Sequence, residues 1–160
     1  MYRATGVDLT AIDGMNVLTA RTLIAEVGTD MNRFATEAHF VSFLDLSPRN
    51  KMSGGKVVGR EQRRTKNRAG LVLRLAAGTL LNSDSYRGAP YRRLRSKPGS
   101  PKARKAMANK LARIACRMLK YRENYIDQGK EFYEQKYRQL PIRTLTRKAA
   151  GFGFLLTQSA

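Results

Sequence analysis

An all-α, mostly helical fold is what this chain predicts, and three observations carry the prediction. Apolar residues recur at helical spacing in residues 17–27, 67–81 and 101–121. Ser100 followed by Pro101 reads as a helix start, a capping hydroxyl with a proline in the first turn. The irregular glycine-bearing stretch 46–67 interrupts the pattern, separating a helix-hairpin-helix at 9–28 from long basic helices at 67–122. Residues 1–122 form the expected main domain, and 123–160 a helical tail of different character.

With 160 residues, the chain is long enough for one domain with a modest core. Its formal charge is +19, and the distribution is more informative than the sum. Residues 1–46 hold three basic and six acidic side chains, 47–122 hold 22 and two, and 123–160 hold six and four. A middle so basic expects a polyanion as partner, with affinity falling steeply as salt rises. Charge alone leaves the chemistry open, because a ribosomal or membrane-surface protein would share it. Cys116 is the single cysteine, which excludes an internal disulfide and a cysteine zinc cluster. His39 is the single histidine, so neither a His/Cys metal site nor a histidine general base is expected. No apolar run approaches a membrane span and no signal-peptide core follows the start, so a cytoplasmic protein with no membrane partner is expected.

In residues 9–28, two helices are expected around a tight turn at Asp13-Gly14-Met15-Asn16, since Gly14 and Asn16 tolerate positive φ. Val17, Ala20, Leu23, Ile24 and Val27 then mark the second helix. The backbone N–H groups of such a turn can meet a DNA phosphate, which makes Gly14 and Asn16 candidate contacts, although a plain helical hairpin packed into a core fits equally. Thr36 caps a short helix to about Leu44, with Phe40, Val41 and Leu44 inward and His39 a packing or surface residue. A helix over 67–81 is expected to bury Leu71, Leu75, Ala76, Thr79 and Leu80, with Gly70 and Gly78 weakening it. Residues 86–95 form a short basic helix in which Tyr86 and Tyr91 alternate with arginines, a pattern that suits base stacking or half-buried anchoring. The Pro101 helix runs to about Tyr121, burying Met107, Leu111, Ile114, Ala115, Met118 and Leu119 and half-burying Cys116. In the tail, a helix over 130–140 is expected to end at Pro141, and a last one to run over 143–150.

Chemistry concentrates in LSPRNKMSGGKVVGREQRRTKN, residues 46–67. Ser53 stands at its centre, with Arg49 and Lys51 before it and Gly54 and Gly55 behind, whose missing Cβ atoms allow a polynucleotide backbone to approach. Lys56, Arg60, Arg63, Arg64, Lys66 and Arg68 follow, with a short hairpin expected around 56–60. A hydroxyl on a glycine turn among cations can attack a phosphodiester that those cations hold. The same residues also suit an ordinary turn whose cations grip a backbone.

Several of these segments together resemble the C-terminal transposase domain of the insertion-sequence transposases related to the Piv DNA invertase, the family that includes the bridge-RNA-guided recombinases. The likeness rests on residues 9–28, Arg33-Phe34 with 40–47, Ser53-Gly54-Gly55-Lys56 with Gly59, 65–68, the Pro101 helix, Tyr125-Ile126-Asp127-Gln128-Gly129, Phe132-Tyr133-Glu134 and Tyr137-Arg138. Departures are Asn16 and Val17 in the turn, Asp45 where the family favours glycine, Lys66 where glycine is common, and Gly70 inside a helix. The resemblance implies that Ser53 is a DNA-strand nucleophile, that DNA is the partner, and that a guide RNA and a homo-oligomer belong to the intact enzyme. It also implies an N-terminal RuvC-like domain whose acidic tetrad holds Mg²⁺. The residues before Leu9 are too few for that domain, so no cofactor is expected on this chain, read as a truncated C-terminal half that binds DNA without recombining it alone. Two alternatives stay open: a non-catalytic helix-hairpin-helix DNA-binding module, and a basic RNA-binding protein.

Overall fold

The computed structural model describes residues 5–48, 50–60, 67–96 and 99–157. Its described residues are mostly helical, with α1 (Val17–Val27), α2 (Glu37–Phe43), α3 (Arg68–Thr79), α4 (Gly88–Ser96), α5 (Ser100–Tyr121) and α6 (Gly129–Gly151), and one hairpin of β1 (Asn50–Ser53) and β2 (Lys56–Arg60). Among the described residues no helix is long and apolar enough to cross a membrane.

The 22 residues of α5 span about 33 Å and form the axis of the core. Helices α2, α3 and α4 all pack on it, and α1 packs on α3. Ala103, Met107, Ala108, Leu111, Ala112 and Ala115 make its buried face, where small side chains let the neighbouring helices approach closely. Ser100 is not the cap: Gly99, at φ 84°, holds that position, and Ser100 and Pro101 lie in the first turn. Cys116 is buried outright, and that burial pushes its thiol pKa up.

Local sequence sets the helix starts. Asn16 Oδ1 accepts from Thr19 N at 2.8 Å, Thr36 Oγ1 from His39 N at 3.3 Å and Asn67 Oδ1 from Gly70 N at 3.1 Å, so three helices begin on side-chain caps. As expected, α2 buries Phe40, Val41 and Leu44 and leaves His39 exposed.

Four further expectations need correction. The first helix of the expected helix pair is only a 3₁₀ turn, Leu9–Ala11, begun by Asp8 and ended at Ile12 in extended backbone, three residues being too few for an α-helical turn. Only Gly14 of the following turn takes positive φ, at 83°; Asn16 is extended, as its capping role demands. Helix α3 turns a different face inward: Leu73 is fully buried with Ala69, Ala76, Ala77 and Leu80, whereas Leu71 and Leu75 are 54% and 61% exposed. Finally, Pro141 does not end a helix. It sits within the continuous α6, where it forgoes one backbone hydrogen bond while good helix formers on both sides carry the helix through.

Arg33, Arg74, Arg92 and Lys120 act as staples between loops. Arg33 lies 4.9 Å and 5.0 Å from the ring centres of Phe34 and Phe43 and donates to Val27 O; Arg74 donates to Asp45 O. Arg92 donates to the carbonyls of Leu81 and Ser83, and Lys120 to those of Phe34 and Ala35. These cations hold carbonyls near helix ends, so part of the charge serves the fold.

Candidate nucleic-acid interface

Within the expected irregular loop, residues 50–60 form an antiparallel hairpin. Ser53 pairs with Lys56 across the turn, Met52 with Val57, Lys51 with Gly59 and Asn50 with Arg60. The turn is Gly54-Gly55, at φ 55° and 75°, the two positive values that a type I′ two-residue connection requires. The hairpin is therefore longer than the 56–60 expected, and its tip lies immediately after Ser53. Register shifts between Lys51 and Met52, leaving Val58 as the extra residue of a bulge that increases local twist.

Alternation along the strands sorts the side chains into two faces. Lys51, Ser53 and Lys56 share one, and Met52 and Val57 share the other. All five are exposed. A Cβ added at Gly54 or Gly55 would meet nothing within 4 Å, so the tip is slender and open on all sides. Among the described residues the two strands pack substantially only on each other. What results is a ribbon with a hydroxyl between two ammonium groups at its end, and neither lysine pairs with a carboxylate among the described residues. Arg68, in the first turn of α3, is also exposed, with only a 4.0 Å contact to Glu26. Of the other expected contacts, Arg49, Arg63, Arg64 and Lys66 lie outside the described residues, as does the side chain of Arg60.

At the turn before α1 the geometry is different. The carboxylate of Asp13 accepts from Ser83 Oγ, and a Cβ on Gly14 would stand 2.8 Å from Ala76 O and 3.1 Å from Leu80. Gly14 therefore lets the chain press against α3. Asn16 is engaged as a cap, and Asp13 and Asp127 line the same shallow recess, where two carboxylates repel a phosphate. Gly14 thus serves packing and the Asn16 side chain serves capping, while the hairpin carries exposed cations on an open ribbon.

Among the described residues no three His, Cys, Asp or Glu side chains come together in a way that could hold a metal ion.

A family model for the IS116/IS110/IS902 transposases matches residues 8–92, just over half of the chain. The chain belongs to this transposase family. The match takes in the 3₁₀ turn, α1 to α3, the hairpin and the first half of α4, and it ends before the long basic helix α5. No curated protein and no solved structure matches.

Sequence reasoning missed the apolar residues of the ribbon: Met52, Val57 and Val58 are 59%, 55% and 68% exposed. The alternation of Lys51-Met52-Ser53 was the available signal, and a strand pairing across Gly54-Gly55 would have shown it.

Proposed function

We propose that this chain is a DNA-contacting part of its family's transposase, and that the hairpin presents Ser53 to a DNA phosphodiester. One observation carries this reading: an exposed serine stands at the end of an open, slender ribbon, with Lys56 across from it and Lys51 beside it on the same face. The ammonium groups would hold the phosphate and offset the charge that develops as Ser53 Oγ approaches phosphorus. As the Oγ–P bond forms, the P–O bond to one DNA strand breaks. That strand's oxygen leaves and takes a proton from water, while water takes the proton of the serine hydroxyl. One phosphodiester replaces another, so the exchange is close to balanced in free energy and a second strand's hydroxyl can reverse it onto new DNA.

The resemblance further suggests an acidic domain acting with this one, a homo-oligomeric enzyme and a guide RNA. A cytoplasmic location fits that role.

The test supplies the family's acidic domain by fusion and compares Ser53→Ala with the parent. A protein–DNA species that survives denaturing electrophoresis is expected from the parent and not from the variant, at equal duplex affinity. Adduct from Ser53→Ala would reduce Ser53 to a turn residue and leave a DNA-binding module. Structured RNA outcompeting duplex DNA of equal length would favour an RNA-binding role.

A further inference from the structure

We infer that the apolar face of the hairpin, formed by Met52 and Val57, is a wedge that enters a DNA groove and unstacks a base step beside the phosphate at Ser53. The inference rests on the proposed DNA-contacting role and assigns to that site a second activity, local distortion of the duplex.

Met52 and Val57 face each other directly across the strands, one pair or roughly 3.3 Å of strand behind Ser53 and Lys56, and on the opposite face of the ribbon. More than half of each side chain's surface is open to water, as is that of Val58. A two-stranded ribbon with no third strand is marginal in water, and an uncovered apolar face adds nothing to it. Met52, Val57 and Val58 stand outside the core, and among the described residues the strands pack substantially only on each other.

Charge decides what covers this face. Residues 47–68 contain eight basic side chains and one acidic. A surface that receives the ribbon must be strongly anionic outside and apolar within a few ångströms. Duplex DNA is built this way, with phosphates lining grooves whose floor and stacked interior are apolar base surface. The major groove admits a two-stranded β-ribbon, and apolar side chains of the size of Met are the kind that partly unstack a base step. The glycine tip suits entry because it carries no side chain to collide with the groove wall. Opening a step next to the phosphodiester would also loosen the backbone there and make room for in-line approach of Ser53 Oγ.

The test uses the full chain with duplexes carrying 2-aminopurine at successive positions, whose fluorescence rises on unstacking. Saturating wild-type chain is expected to raise it several-fold at one step. Met52→Thr and Val57→Thr, which keep strand propensity and remove the apolar wedge, should abolish most of the rise and leave the salt dependence of binding unchanged. Met52→Leu should retain it. Lys51→Ala and Lys56→Ala should each lower the slope of log affinity against log salt by about 1, with the rise intact at saturation. Bound duplex with no rise at any position would overturn the wedge and leave the DNA-contacting role standing. So would a full rise from both threonine variants, the result expected if a protein surface covers this face. A wild-type chain that fails to bind duplex would overturn both.

Discussion

Gly14 and Gly54 show how one residue type serves two purposes. At Gly14 the backbone is left-handed and an added Cβ would strike Ala76 O, whereas at Gly54 the backbone is left-handed and the space is empty. Gly14→Ala is therefore expected to lower the unfolding free energy by about 1–3 kcal/mol, measured by urea titration. Gly54→Ala should leave the global transition unmoved and weaken only the hairpin. Asp45 also lies in left-handed backbone, at φ 57°, which accounts for the glycine that the resembled family favours there. Asp45→Val should cost about 1–2 kcal/mol more than Asp45→Gly, both variants having lost the carboxylate. Burial pushes the Tyr125 hydroxyl up to about 12, helped by its 3.0 Å hydrogen bond to Asp127 and by that carboxylate's charge. The folded value lies above the ordinary 10.0 of the free side chain, so the contribution of neutral Tyr125 is complete below pH 10 and fades as pH rises towards 12. Tyr125→Phe should flatten that part of the stability–pH curve. None of these residue effects except the oddity of Asp45 was legible in the sequence, because each depends on what a distant segment brings alongside.

Elements were legible where a local rule acts alone. Thr36 and the inward Phe40, Val41 and Leu44 follow from a cap and a period, and so does the extent of α5 to Tyr121. Helix α3 was misread because leucines at 71, 73 and 75 fit two helical stripes, and only the packing of α1 and α5 selects the one through Leu73. Leu73→Ala is accordingly expected to cost about 2–5 kcal/mol, while Leu75→Ala falls within about 0.5 kcal/mol of the parent. Pro141 misled because a proline biases against helix continuation without forbidding it. For the hairpin, the glycine pair announced a turn, but its register could not be read without the partner strand. Because the strands have little support beyond each other, their amide hydrogens should exchange with solvent far faster than those of α5 in the free chain, and slow when duplex DNA is bound. Strong protection without DNA would show that another surface already covers the ribbon.

Across the whole molecule, charge and core are separated along the chain. The acidic first segment closes onto α3 and α5 through buried apolar residues, while the basic middle supplies both loop staples and the exposed hairpin. That division explains how a chain of net charge +19 can fold around a helical core: several cations near loops donate hydrogen bonds to carbonyls, and others face solvent. If six to ten of the remainder meet phosphates, duplex affinity should fall by roughly 10³- to 10⁵-fold between 50 and 200 mM salt. Composition points to a polyanion as partner; the placement of Ser53 beside the tip of an open ribbon is not legible there, since it requires the strand pairing.

That placement is tested most directly by locating the DNA linkage on the protein. Trypsin cleavage after Lys51 and Lys56 releases residues 52–56, Met-Ser-Gly-Gly-Lys, from the chain fused to its family's acidic domain and reacted with duplex. Mass spectrometry should find this peptide carrying a nucleotide phosphate on Ser53, the only hydroxyl it contains. A nucleotide on any other peptide, with 52–56 recovered unmodified from the adduct, would contradict the account.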